Sequence, residues 1–102
     1  MQNKILSLIG IATKAGKTVS GEFSVEKAVK EGKAVMVIVA EEASDNTKKM
    51  FTNMCKYYEV PLYIYGTKEE LGRAMGKQMR ASMAITDEGL GRALEKQIKS
   101  EV

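Results

Sequence analysis

Two features of this 102-residue chain predict an α/β fold with helices on both faces of a sheet. Strand-like and helix-like segments alternate from end to end, with no linker, repeat or low-complexity stretch between them. Residues 34–40 (AVMVIVA) are an unbroken apolar, β-branched run, the pattern of a strand covered on both faces. The order α-β-α-β-α-β-α-β-α predicts a three-layer α/β/α sandwich in a single domain, residues 1–102. A hydrophobic fraction of 44% is enough for a real core at this length.

The first helix follows from Asn3 as N-cap and from Ile5, Leu8, Ile9 and Ala12 at helical spacing, with Gly16 as its stop. Lys17 to Ser20 form a short strand that ends on Gly21. Its position, at an edge or against the others, stays open. Ser24 is the expected N-cap of the second helix, with Phe23 stapled onto Ala28 and Gly32 as the terminator. After the apolar strand, Ser44 or Asp45 caps a third helix, which turns Met50, Phe51, Met54, Cys55 and Tyr58 inward. Residues 60–65 read as a strand with Pro61 at its start, where a missing N–H is tolerated. Thr67 and Glu70 make a capping box for a fourth helix, which Gly76 stops. Lys77 to Arg80 form a loop, residues 81–85 a last strand, and Thr86 or Asp87 caps a final helix carrying Leu90, Leu94 and Ile98.

Composition removes several functions. The chain has no histidine, so the usual general base and metal ligand are missing. Its single cysteine, Cys55, excludes an internal disulfide and fits a reducing compartment. The apolar run at residues 5–12 is too short to span a bilayer and lacks a signal-peptidase site, so a cytoplasmic protein is expected. The net charge is only +3, but it is unevenly placed. Residues 1–21 hold Lys4, Lys14 and Lys17 without an acid, and residues 71–86 hold Arg73, Lys77 and Arg80 without an acid. Two acid-free basic blocks form a phosphate-binding surface if folding joins them.

Gly16-Lys17-Thr18 matches the tail of a nucleotide phosphate loop, but the first glycine is out of register and a strand, not a helix, follows. The turn from Gly21 to Ser24 is different. A strand hands over to a helix there, so outward amides stand near Lys27 and can meet a phosphate or a base edge. In the loop at residues 77–80, Met79 is an apolar side chain between cations, suited to stacking on an unpaired base. Glu41, Glu42 and Asp45 lack a nucleophile or metal partner and read as a solvated loop and cap.

Ala15-Gly16-Lys17-x-Val19-x-Gly21, then Ser24, Lys27-Ala28 and Gly32-Lys33-Ala34, resemble the kink-turn RNA-binding ribosomal protein family, the L-seven-Ae and L-thirty-e group. Leu71-Gly72-Arg73-Ala74-Met75-Gly76 resembles that family's second signature. The match covers nearly the whole chain and looks most like the small ribosome-associated bacterial members. The resemblance implies a four-stranded mixed sheet, with the Gly21 turn and the 77–80 loop side by side. It implies a non-enzymatic, monomeric protein without cofactor or metal that grips a bent RNA, in ribosomal RNA. Carried over by position, Gly21, Glu22, Phe23, Ser24 and Lys27 meet sheared G·A pairs and backbone. Lys14 and Lys17 add phosphate contacts, Lys77, Met79 and Arg80 surround an extruded base, and Glu42 and Ser44 begin a third approaching loop. Where strong kink-turn binders carry Asn-Glu, this chain has Phe23 and Ser24. An exposed Phe23 also suits the alternative role of a ribosome-associated protein-interaction module.

Overall fold

The computed structural model describes residues 3–101. Its elements are α1 (Lys4–Lys14), β1 (Thr18–Ser20), α2 (Glu22–Lys30), β2 (Met36–Val39), α3 (Asp45–Tyr58), β3 (Leu62–Ile64), α4 (Lys68–Ala74), β4 (Ser82–Ile85) and α5 (Glu88–Ser100). The sheet has four strands in the order β1-β4-β2-β3. β2 and β3 are parallel, and β4 runs against both β2 and β1. The sheet is therefore mixed, and β1 is a short antiparallel edge.

The two-residue period of a strand splits β2 and β4 between two cores. Met36, Ile38, Met83 and Ile85 face α1, α4 and α5, against Ile5, Ile9, Leu71 and Leu94. Val37, Val39 and Ala84 face α2 and α3, against Val25, Val29, Phe51 and Cys55. Because both faces are covered, every residue of β2 and β4 is buried. This explains why no polar residue interrupts residues 34–40. Burial also pushes the Cys55 thiol up to about 11, which keeps it protonated and inert in the core.

Strand direction decides what gathers at each end. Ser20 pairs with Met83, and Val39 pairs with both Ser82 and Ile64, so the last residues of β1, β2 and β3 meet the first of β4. The helices that follow those three strands, α2, α3 and α4, all begin at this end. α1 begins there too, because the Asn3 amide donates to the Tyr65 hydroxyl at 2.7 Å. Only α5, which follows the last residue of β4, begins at the opposite end.

Most local expectations hold. Asn3, Ser44 and Asp87 cap α1, α3 and α5, and Thr67 with Glu70 makes the capping box of α4. The start of α2 differs. It begins at Glu22 with Gly21 in the cap position, not at Ser24. The Gly21 amide donates to the Ser82 carbonyl at 3.1 Å, and its φ of 90° turns the chain straight out of β1. Ser24 therefore falls inside the first turn, and Phe23 points outward at 79% exposure, so no staple onto Ala28 forms. Tyr58, expected inside, is 41% exposed at the last residue of α3.

Candidate nucleic-acid interface

A helix start leaves its first amides without intrahelical acceptors. At α1 the Asn3 carboxamide oxygen accepts from Ile5 and Leu6. At α3 the Ser44 hydroxyl accepts from Thr47. At α4 the Thr67 hydroxyl accepts from Glu70, the Glu70 carboxylate accepts from Thr67, and Glu42 accepts from Lys68 at 2.6 Å. At α2 the cap is a glycine and no side chain accepts. The amides of Glu22, Phe23 and Ser24 thus have no acceptor among the described residues. Gly21 has φ 90° and ψ 152°, backbone that L side chains adopt only under strain. The residue that makes the turn also supplies no cap.

The second half of the site is the loop after α4. Met75 and Gly76 end that helix, with the Lys77 amide donating back to the Gly72 carbonyl at 2.8 Å and the Gly76 amide to Arg73 at 3.0 Å. The chain then crosses directly over Gly72. A Cβ there would stand 1.9 Å from the Gln78 carbonyl oxygen and 3.1 Å from the Met79 Cα. The Arg80 amide donates to the Lys68 carbonyl at 3.0 Å and fixes the far end of the loop. Met79 is left 59% exposed beside an open groove of about 520 Å³, lined by Glu69, Arg73, Lys77, Gln78, Met79 and Arg80.

The two halves are tied by side chain and backbone. Arg80 Nε donates to Ser20 Oγ at 3.1 Å, and Arg80 Nη1 donates to the Met79 carbonyl at 3.0 Å. Together with the bond from Gly21 to Ser82, this holds the 77–80 loop against the end of β1. Gly21, Glu22, Phe23, Ser24, Lys77, Met79 and Arg80 are therefore brought to one end of the sheet. Lys27 lies one turn along α2, exposed. Glu42 and Ser44 reach the same end, but both side chains are engaged within the chain as helix caps. Lys14 and Lys17 are not gathered with them. The Lys17 carbonyl accepts from Thr86, at the other end of β1 and roughly 13 Å of strand from Gly21.

Charge is distributed to match. Lys30 and Lys33 are paired with Glu26 and Glu31, and Arg73 with Glu69. Lys14, Lys17, Lys27 and Lys77 form no ion pair among the described residues. The Glu22 carboxylate suits the positive end of its helix, so its contribution to the surface is its amide. Sequence reasoning overlooked Ser20, the acceptor that joins the halves, and the reason for Gly72. The Gly72 signal was available, because a glycine inside a helix costs about 1 kcal/mol and implies a close approach. No group of His, Cys, Asp or Glu that could hold a metal occurs among the described residues.

This end of the α/β/α domain exposes amide donors and lysines that form no ion pair among the described residues. The chain belongs to the ribosomal protein L7Ae/L30e/S12e/Gadd45 family, whose model matches residues 3–96. It is 43% identical over 82 residues to the RNA-binding protein YlxQ of Bacillus subtilis (strain 168), covering 80% of this chain and 82% of that one. It is 26% identical over 103 residues to the large ribosomal subunit protein eL8 of Picrophilus torridus, covering 100% of this chain and 81% of that one. A solved Bacillus halodurans C protein of unknown function superposes with TM-score 0.93 at 37% identity, over 96% of this chain and 99% of its own. The Giardia lamblia 15.5kD RNA binding protein shares the fold, with TM-score 0.80 at 23% identity over 98% of this chain and 89% of its own.

Proposed function

We propose that this protein binds structured RNA and recognises a kink-turn or a similar internal loop, in ribosomal RNA. The observation that carries the reading is the open start of α2, held beside the 77–80 loop by Arg80 and Ser20. Three amides aimed at solvent donate to base edges or phosphate oxygens, and Lys27, Lys77 and Arg80 form no ion pair among the described residues. The relatives named as RNA-binding YlxQ and as ribosomal eL8 support the same ligand class.

In this reading Gly21, Glu22, Phe23 and Ser24 present the helix start to the bend, and Lys27 neutralises a phosphate one turn on. Lys77, Met79 and Arg80 surround a nucleotide that leaves the stack. Lys14 and Lys17, at the far end of β1, extend the contact along a duplex arm. Glu42 and Ser44 shape the third rim. The protein acts by binding rather than by catalysis, as a monomer associated with the ribosome in the cytoplasm.

Gel-shift titration of a kink-turn RNA and of an unbent duplex of the same length tests this. The kink-turn binds more tightly, and Lys27→Glu weakens it by about tenfold with no change in melting temperature. Equal affinity for the two RNAs overturns kink-turn recognition and favours the protein-interaction role.

A further inference from the structure

Phe23 and Tyr57 are the two most exposed large apolar side chains among the described residues, and of the two only Phe23 stands at the candidate interface. It is 79% exposed on the second residue of α2, beside the open amides, and it packs into neither core. Phe23, Lys27 and Glu31, one turn apart, form a ridge between two shallow grooves. One groove, of about 290 Å³, is completed by Glu26 and Lys30. The other, of about 300 Å³, runs toward the β1 edge past Val19 and Ser24.

The surroundings choose the partner. A protein contact of comparable strength gathers apolar neighbours around its aromatic anchor and sheds charge from its centre. Here the ring stands beside Lys27, which forms no ion pair among the described residues, the Ser24 hydroxyl and the amide donors, while Glu26 and Glu31 in the same grooves are neutralised by Lys30 and Lys33. A flat ring flanked by a cation and donors is the arrangement that holds an unpaired nucleobase, with its face on the ring and its phosphate on the cation. We propose that Phe23 is a stacking plate for one unpaired base of the RNA and sets which internal loops the protein selects. This rests on the RNA-binding reading above and deepens it. Stacking on the ring tolerates either purine better than it tolerates a missing base. The neighbouring Ser24 and the open amides then supply the hydrogen bonds that orient the base.

The test is a cycle between protein and RNA variants. Wild-type protein, Phe23→Ala and Phe23→Tyr are titrated against the kink-turn RNA and against RNAs in which each unpaired nucleotide in turn is abasic. Phe23→Ala weakens binding to the intact RNA by about tenfold or more, while Phe23→Tyr stays within about threefold of wild type. One abasic RNA binds the wild type as weakly as the intact RNA binds Phe23→Ala, and on that RNA the alanine variant loses nothing further. The melting temperature is unchanged throughout, because the ring is buried against nothing. Undiminished binding by Phe23→Ala, or an equal loss on every abasic RNA, overturns the stacking role and leaves the RNA-binding reading intact. A wild-type protein that does not prefer the kink-turn overturns kink-turn recognition and the stacking role with it.

Discussion

The starts of α2 and α4 sit at the same end of the sheet and expose the same backbone donors, yet their chemistry is opposite. At α4 the chain satisfies its own amides, with Thr67 and Glu70 bonding reciprocally and Glu42 adding a third acceptor from another loop. At α2 the cap residue is Gly21, which has no side chain to offer. The lesson is that a helix start can be spent in two ways. A closed start stabilises the fold by about 1 kcal/mol per cap. An open start forgoes that stabilisation and keeps its donors for an acceptor from outside. In this molecule the closed starts frame the open one.

The largest change to this contrast is expected from Gly72→Ala. The new methyl would overlap the Gln78 carbonyl, so the loop carrying Met79 and Arg80 must lift. Stability falls by about 1–3 kcal/mol. RNA affinity falls further than for any single lysine change, because one half of the site leaves the other. Thermal melting and gel-shift titration on the same preparation separate the two effects. Normal RNA affinity in a melted-down variant would break the claim that the loop belongs to the site.

Next in size is Gly21→Ala. There is free space around Gly21, so the cost comes from backbone strain alone, about 1–3 kcal/mol. The α2 amides tilt and RNA binding weakens. Thr67→Ala is the matched control at the closed start. It lowers stability by about 1 kcal/mol and leaves RNA affinity as it was. If the two variants weaken RNA binding equally, the distinction between open and closed starts is wrong.

The smallest effect is expected from Ser20→Ala, which removes the acceptor for Arg80 Nε. Stability changes by about 0.5–1.5 kcal/mol. Affinity drops because the two halves are no longer tied, but the salt dependence keeps the wild-type slope. Lys27→Glu instead lowers that slope by about one, since a phosphate contact is lost. Measuring both slopes tells a strut from a phosphate ligand.

How far the site was legible depended on how far each signal reaches along the chain. Asn3, Ser44, Thr67 and Asp87 bond within three residues of themselves, so their caps were readable from the sequence. The stops at Gly16, Gly32 and Gly76 were readable for the same reason, and all three take positive φ. Ser24 misled, since a serine near a helix start is the usual cap. Its cap was displaced by the bond from Gly21 to Ser82, a partner far along the chain. Phe23 misled likewise. A staple residue stands one position before the N-cap, whereas Phe23 stands two positions after it.

By itself, then, the sequence determined the order of the elements, the side-chain caps of α1, α3, α4 and α5 and the covered strand within residues 34–40. It also carried the two glycine-bearing signatures. Only the tertiary structure decided that β1 runs against β4 as an edge, that α2 opens at Gly21, that the 77–80 loop lies on Gly72, and that Arg80 reaches Ser20. The physical reason is range. Capping and periodicity act over one helical turn, whereas strand pairing and the contact between Arg80 and Ser20 join residues about sixty positions apart. No local propensity encodes which distant partner will be there.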